Sequence, residues 1–266
     1  MSESPGDDIL VPPKDGETIT DREGREVALL TGRDRITITR YRIAPGERGP
    51  DPHVHHEHTD AFYVLEGELS FVLGRERETI AMPAGSLVAA PPNVIHTFVN
   101  ESDDEVRFLN LHAPDGGFAA FMRARRDGDE EATFDTHDPP PDGGRPLADA
   151  IVSGPGEGER LVGESRSCLL KAELEEMAFI EFEIEPGYDG PDVHEHENEV
   201  DVFYVLGGEL EFTVNGSRHR SGVGTLASVP PGVEHTFAPV GEGAARFLNL
   251  HTPDAGFAAF LRRVSR

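Results

Sequence analysis

The amino-acid sequence predicts an all-β protein built from two similar domains in tandem, and three observations support this. Arg-Phe-Leu-Asn-Leu-His at 107–112 recurs at 246–251, and Phe-Tyr-Val-Leu at 62–65 recurs at 203–206. Apolar and polar residues alternate along 36–43, which is the period of a half-buried strand. Pro-Gly pairs and single glycines separate the short runs, as they do in β-sandwiches and β-barrels.

The repeat also predicts the domain boundaries. One motif pair is offset by 139 residues and the other by 141. This two-residue difference arises between Gly67 and Gly85, where the first copy has the longer hairpin. In the second copy, Asn215-Gly216 predicts a tight turn. Residues 127–144 are acidic and rich in Pro and Gly, which indicates an extended linker. We therefore expect a first domain at 1–126 and a second at 145–266.

Each copy is predicted to end in a short helix. Asp115 and Asp254 stand where an N-terminal capping carboxylate is expected. The apolar residues that would follow are Phe118, Phe121 and Met122 in the first copy and Phe257, Phe260 and Leu261 in the second. We expect these helices to close a barrel end or cover a domain interface rather than to bind a ligand.

Charge and composition exclude several classes of partner. Asp plus Glu is 50 against 24 for Lys plus Arg, a net charge of −26, which argues against nucleic acid and anionic membranes. No run approaches a membrane span, and residues 1–14 lack the apolar core of a secretory signal. The single cysteine, Cys168, excludes an internal disulfide framework. We expect a cytoplasmic protein with a small-molecule substrate, and association into a homo-oligomer stays open.

The histidines carry the strongest chemical signal. Eight of the twelve occupy repeat-equivalent positions: His53, His55, His96 and His112 with His194, His196, His235 and His251. Asp60 and Asp201 each follow the second histidine by five residues. Three imidazoles and a carboxylate form the ligand set of Fe, Mn, Ni, Cu or Zn with positions left open. Because the whole set is duplicated, we prefer metal ligands to ordinary surface histidines, and we predict up to one divalent transition metal per domain.

These residues also resemble a known family, the cupin superfamily, and specifically its two-domain bicupins. A first motif, G-x(5)-H-x-H-x(3,4)-E-x(6)-G, is approximated by Gly46, His53, His55, Asp60 and Gly67, and again by Gly187, His194, His196, Asp201 and Gly208. A second, G-x(5)-P-x-G-x(2)-H-x(3)-N, is approximated around His96 and His235. The resemblance implies that each domain is a double-stranded β-helix barrel, or jelly roll, with the metal inside its mouth.

The departures from these motifs leave one ligand open. Both copies carry Asp where the family has Glu, Asn93 replaces a motif glycine, and Pro239 replaces a motif asparagine. The shorter carboxylate either binds the metal, which we prefer, or orients a histidine. His58 and Glu199 precede the two aspartates by two residues and are the alternative ligands.

His112 and His251 are candidate proton-transfer groups. Strand alternation puts Asn110 and His112 on one face, which points either into the pocket or outward. With Asp60 and Asp201, these two histidines are our candidate catalytic residues. The histidines that have no repeat partner, His56, His137 and His219, are expected to be solvated.

The resemblance implies a metal-dependent oxidoreductase, similar to the quercetinase-like dioxygenases, that acts on a small oxygenated organic substrate. The superfamily also contains isomerases and decarboxylases, and a cupin that only binds a small ligand or metal is the alternative from another class. The second site has more neighbouring carboxylates, at Asp192, Glu195, Glu197 and Glu234. We therefore predict that it holds metal more tightly, and that the first site better accepts an anionic or enolate-like substrate. The alternative is that the extra carboxylates belong only to the solvated acidic surface.

Overall fold

Alternating and buried apolar runs form twenty strands in a computed structural model, which describes residues 9–33 and 35–265. The strands are β1 (Leu10–Val11), β2 (Glu17–Arg22), β3 (Arg25–Arg33), β4 (Ile36–Ile43), β5 (Thr59–Glu66), β6 (Glu68–Leu73), β7 (Glu78–Pro83), β8 (Leu87–Ala90), β9 (His96–Val99), β10 (Val106–Ala113), β11 (Ile151–Ser153), β12 (Glu159–Val162), β13 (Arg166–Leu174), β14 (Met177–Ile184), β15 (Val200–Gly207), β16 (Glu209–Val214), β17 (Ser217–Gly222), β18 (Leu226–Val229), β19 (His235–Pro239) and β20 (Ala245–Thr252). The helices are α1 (Phe118–Arg126), α2 (Phe257–Val264) and a 3-10 turn at Leu147–Asp149. Neither α-helix is long and apolar enough to cross a membrane, a finding that covers the described residues.

The chain divides into two compact units. The first unit is Glu17–Gly156, and the second is the remainder, described at residues 9–16 and 157–265. In the first unit, strands in the order β11-β8-β5-β10-β4-β3-β2 form a seven-stranded sheet beside a three-stranded sheet, β7-β6-β9. The all-β prediction is confirmed for this unit, with α1 following its last long strand.

The second unit repeats this arrangement. Its sheets are β1-β18-β15-β20-β14-β13-β12 and β17-β16-β19. Aromatic side chains fill both cores: Phe62, Phe71 and Phe108 are buried in the first unit, and Phe203, Phe212 and Phe247 in the second. Two tandem units, each with a seven-stranded and a three-stranded sheet and a short helix, therefore match the predicted architecture.

The structure also shows the hairpin that explains why the two repeat offsets differ by two residues. In the second unit, Val214 pairs with Ser217, so the turn is Asn215-Gly216 alone, with φ of 47° and 77°. Positive φ at both positions is what a two-residue hairpin turn requires. In the first unit, Leu73 pairs with Glu78, which leaves a four-residue loop. The extra two residues change the offset from 141 to 139.

The predicted boundaries at 126 and 145 differ from the grouping of contacts in the structure. Residues after α1 stay with the first unit, where Val54 and His137 exchange backbone hydrogen bonds of 3.0 Å in both directions. β11 then completes the edge of the seven-stranded sheet by pairing with β8. β1 fills the equivalent edge of the second unit by pairing with β18. An unpaired strand edge exposes a row of backbone donors and acceptors, and these short strands cover it.

Asn93 is a departure from the family motif that the backbone explains. Its φ is 66°, close to the 74° of Gly232 at the equivalent turn. The left-handed region normally favours glycine, and asparagine is among the side chains that tolerate it best. The turn before His96 is therefore kept without the motif glycine.

Candidate metal centre

Each unit brings the four predicted ligand residues together. In the first unit, one ligand atom from each of His53, His55, Asp60 and His96 lies within 4.8 Å of the others, and all four residues are buried. The second unit groups His194, His196, Asp201 and His235 within the same limit, with the first two half-buried. In both units a two-way backbone bridge aligns the first and last histidines, His53 with His96 and His194 with His235.

Backbone carbonyls orient the imidazoles of the first unit. Nδ1 of His53 donates to the Asp51 carbonyl at 2.9 Å, and Nδ1 of His96 donates to the Val94 carbonyl at 3.0 Å. Nδ1 of His55 donates to the carbonyl of Asp135. A neutral imidazole that donates through Nδ1 carries its lone pair on Nε2. All three Nε2 atoms are thereby prepared to bind a cation.

In the second unit, backbone carbonyls orient two of the three imidazoles in the same way. Nδ1 of His194 and of His235 donate to the carbonyls of Asp192 and Val233, each at 2.9 Å. Nδ1 of His196, however, lies 3.1 Å from Oε2 of Glu199, so a carboxylate replaces the carbonyl. Carboxylate partners raise the basicity of a ligating imidazole. Asp201 and Glu199 raise the pKa of His196 to about 9.

The aspartates face these nitrogen atoms directly. Oδ2 of Asp60 is 3.1 Å from Nε2 of His96, and Oδ2 of Asp201 is 3.1 Å from Nε2 of His235. Burial acts to raise the pKa of Asp60, but His112, His55 and His96 lower it well below its ordinary value. The same opposing effects leave the pKa of Asp201 lowered. Both groups are therefore carboxylates at neutral pH.

The unpaired atoms of the cluster provide the test of whether a metal fits. Nε2 of His55 and of His196 are buried and have no hydrogen-bond partner among the described residues. Burial, His96 and His55 together lower the pKa of His53 to about 3, so this imidazole is neutral. In the first unit, lone pairs and a carboxylate converge without protons between them, which favours a bound cation. In the second unit, a bound cation would take the place of the proton on His196. The residues present fit a divalent transition metal in each unit.

The alternative ligands occupy different positions. Nδ1 of His58 is 2.9 Å from Oδ2 of Asp135, and its Nε2 is 2.8 Å from Nδ1 of His112, so both ring nitrogens are engaged. Glu199 contacts His196 and also accepts a hydrogen bond from the Ala255 backbone at 2.9 Å. The geometry favours Asp60 and Asp201 as ligands, with His58 and Glu199 orienting their neighbours.

The strand face that carries His112 and His251 points inward, which resolves the two alternatives for these histidines. Nε2 of His112 is 3.6 Å from Oδ1 of Asp60, an oxygen that also accepts from Nδ2 of Asn110. In the second unit the corresponding separation between His251 and Asp201 is 3.5 Å. Both histidines line the cavity beside the ligand cluster.

The helices do more than the sequence predicts. Asp115 and Asp254 accept hydrogen bonds from the backbone at the start of α1 and α2, as expected of caps. Each helix also contributes to the wall of a cavity, which the expectation of a purely covering role did not include. Phe118 lies over the His112 ring at 3.7 Å between centroids, and Phe257 lies over His251 at 3.6 Å. Both phenylalanines line the cavities because the helix follows its strand directly.

The two cavities differ greatly in size. The first measures about 80 Å³ and is lined by Phe118 and Phe134 opposite the ligand histidines. The second measures about 410 Å³, with walls that include Phe182, Phe237 and Phe260. Small-molecule sites generally occupy about 300–1,000 Å³. The volumes therefore argue against the prediction that the first site is the better one for an organic anion.

Several residues of the site were missed in the sequence. Phe134 and Asp135 lie in the stretch that composition assigns to a linker, and no local signal distinguishes them. His56 and His137 are exposed as predicted, yet their rings stack at 3.9 Å and they flank Asp135. Arg25 and Arg166 line the two cavities. They are 141 residues apart, so the repeat could have revealed them.

Two tandem β-sheet units, each holding a His/Asp cluster that can bind metal, define a two-domain metal-binding barrel protein. The family described as the cupin domain matches residues 39–112 and 180–251, which together are more than half of the chain. The chain belongs to the cupin family and is a bicupin. Sequence comparison with curated proteins finds no match.

Several solved structures have a similar fold. Ylba from Escherichia coli, of the DUF861 family, has a TM-score of 0.67 at 14% identity over 91% of this chain and 89% of its own. The putative glyoxylate-induced protein from Pseudomonas aeruginosa gives 0.66 at 18% identity over 91% and 87%. Oxalate decarboxylase from Bacillus subtilis gives 0.62 at 18% identity over 93% and 76%. At these identities the likeness establishes the fold alone.

Proposed function

We propose that the protein is a metal-dependent enzyme that acts on a small oxygenated organic substrate in the cavity of the second unit. One observation carries the proposal: the unpaired Nε2 of His196 belongs to a three-histidine, one-aspartate cluster that opens onto a cavity of about 410 Å³. Three imidazoles and one carboxylate would hold a divalent transition metal and leave positions open for substrate. A cluster that served only to stabilise the fold would need no such space.

The reaction class that we place first is a dioxygenase-type oxidation. When bound, a redox-active ion supplies Lewis-acid polarisation and electron transfer. Asp201 is positioned to accept the proton of a substrate hydroxyl, and Nδ2 of Asn249 donates to its Oδ1 at 2.5 Å, which fixes the carboxylate. His251, stacked on Phe257, lies beside the same carboxylate and can carry that proton onward.

Decarboxylation is the second candidate, and the pair His251 and Glu199 favours it. Loss of CO2 from a carboxylate leaves an electron pair on carbon, which one proton must quench. Nδ1 of His251 is 3.5 Å from Oε2 of Glu199 and has no hydrogen-bond partner among the residues described. An imidazole between Asp201 and Glu199 is suited to deliver that proton.

The experiment is to measure the metal content of the purified protein and then to follow O2 uptake and CO2 release with each bound metal. Flavonols, catechols and β-diketones test oxidation, and aromatic and aliphatic carboxylates test decarboxylation. His235→Ala should abolish turnover, whereas His96→Ala, its counterpart in the first unit, should leave most of it. Metal-loaded protein that turns over neither panel, while still binding a ligand, would instead identify a non-catalytic binding cupin.

A further inference from the structure

The two equivalent arginines that line the cavities differ in whether they have a carboxylate partner. In the first unit, Nε of Arg25 lies 3.1 Å from Oε2 of Glu47. Glu47 also holds Arg22, with N–O distances of 2.7 and 2.8 Å. Both guanidinium groups are therefore held by the same carboxylate. Arg25 is therefore already partnered at the wall of its small cavity.

In the second unit the partner carboxylate has been replaced. At the 141-residue offset, Arg166 corresponds to Arg25, Tyr188 to Glu47, and Gly163 to Arg22. Across residues 9–33 and 35–265, the Arg166 guanidinium has no hydrogen bond or ion pair with another side chain. Arg166 and Tyr188 both line the large cavity.

Strand register puts this free cation and the metal cluster at opposite ends of the cavity. On β14, Ala178 pairs with His251, which lies beside the ligand Asp201. Ile184 at the other end of the strand pairs with Arg166. Phe182 lies between Ala178 and Ile184 on β14 and lines the cavity. An occupant that reaches both ends must place an apolar body against aromatic walls.

From these features, we infer that the second cavity binds a monoanionic carboxylate with an aromatic-sized apolar body, its carboxylate held by Arg166 and its other end directed at the metal cluster. The planar guanidinium matches a carboxylate in a two-bond geometry. A cavity of about 150 Å³ holds benzene, so about 410 Å³ accepts a body at least as large as naphthalene. This inference names the substrate class of the proposed function and rests on it for turnover, but not for binding.

The test measures binding of 2-naphthoate to the metal-loaded protein by calorimetry, with acetate and 2-naphthamide as comparisons. We expect 2-naphthoate to bind most tightly, because acetate lacks the apolar body and the amide lacks the charge. Arg166→Gln should weaken 2-naphthoate binding by about 10–100-fold, the effect of losing a charge-assisted hydrogen bond. Metal content, measured on the same samples, should be unchanged.

A reciprocal pair of variants separates the guanidinium from general damage. Tyr188→Glu recreates the carboxylate that Glu47 provides in the first unit, and should reduce 2-naphthoate binding as much as Arg166→Gln does. Tyr188→Phe is its matched control and should bind normally. Glu47→Gln frees Arg25, but the first cavity is too small, so no second binding event should appear.

Unchanged binding in Arg166→Gln or in Tyr188→Glu would overturn the inference, as would equal affinity for the acid and the amide. If acetate bound as tightly as 2-naphthoate, the apolar body would contribute nothing to binding, and the inference would be overturned. Arg166-dependent binding without turnover would contradict only the proposed enzyme. Turnover of substrates that do not need Arg166 would contradict only this inference.

Discussion

The backbone carbonyl of Asp135 accepts a hydrogen bond from Nδ1 of His55, a residue 80 positions earlier in the chain. The side chain of Asp135 simultaneously accepts from the backbone of His56 and Glu57 and from His58. Asp135, which follows α1 in the chain, thus fixes both the tautomer of a metal ligand and the loop that carries this ligand. The first metal centre depends on a segment outside the predicted first domain.

Removing the Asp135 side chain should therefore affect one metal centre selectively. Asp135→Ala leaves the buried His58 ring nitrogen without its acceptor, which costs about 1–3 kcal/mol of unfolding free energy, and it also frees the exposed backbone N–H of Glu57. The carbonyl that orients His55 is kept, but the loop held by the Asp135 carboxylate is released. Metal affinity of the first site should therefore fall by roughly 10–100-fold, as it does when other supporting groups around a metal are lost. Metal titration in a His235→Ala background checks the first site, and titration in a His96→Ala background should show the second unchanged.

Metal removal should destabilise the protein. A metal that binds only the folded state at 100 times its Kd contributes about 2.7 kcal/mol, which corresponds to a Tm shift on the order of 10 °C for domains of this size. EDTA should lower Tm by this order, and His96→Ala combined with His235→Ala should abolish the response. His219→Ala, an exposed histidine on β17, is the matched control. An identical melting curve with and without EDTA would contradict the metal assignment.

The carboxylate ligand can be distinguished from its alternatives by metal stoichiometry. Asp60→Asn and Asp201→Asn keep the shape but lose the charge, so each should reduce metal affinity at its own site by at least 10–100-fold. His58→Ala should retain full stoichiometry, because both of its nitrogens are occupied elsewhere. If His58→Ala loses metal while Asp60→Asn keeps it, the assignment of ligands is reversed.

We expect the second site to hold metal more tightly than the first. Glu199 orients His196 with a carboxylate, whereas His55 has only a carbonyl, and a carboxylate partner makes an imidazole the stronger ligand. Single-site proteins made by His96→Ala and by His235→Ala would be titrated at low and high salt. Equal affinities at low salt would refute this expectation, since screening is then weakest.

The anchoring of α1 gives a pH prediction away from the metal. Burial acts to raise the pKa of Glu17, but hydrogen bonds from Arg123 and Arg126 lower it overall. A carboxyl whose folded pKa is below its unfolded value of about 4.5 stabilises the protein above that pH. The contribution is lost as the pH falls through the folded pKa. Because the pair is partly exposed, we expect about 0.5–1 kcal/mol.

Glu17→Gln tests this by urea unfolding between pH 7 and pH 3. The variant should be less stable than the wild type at pH 7, and the difference should vanish as the acid limit is approached. Glu66→Gln, which replaces a more exposed carboxylate paired with Arg107, is the control and should show a smaller effect. A constant difference across the pH range would show that charge on Glu17 is not the cause.

The repeat explains how much of this site the sequence could predict. Ligand positions recur with nearly the same spacing in both copies, so the repeat predicts both clusters. The change in repeat offset also predicts that the hairpin within each copy differs in length. Phe134 and Asp135 occur once, in a stretch whose Pro and Gly content indicates an open chain, and composition carries no information about long-range packing. The sequence did not reveal that Arg166 lacks a carboxylate partner, because this depends on Tyr188 in place of a glutamate and not on Arg166 itself. Unique contacts and absent partners require the three-dimensional structure.

The edge strand β1 has a consequence for how the chain folds. Leu10 and Val11 pair with Ala227 and Leu226, which lie more than 200 residues further along the chain. Loop closure over such a separation is slow compared with local pairing. We therefore expect this edge of the second barrel to form after the hairpins inside the barrel.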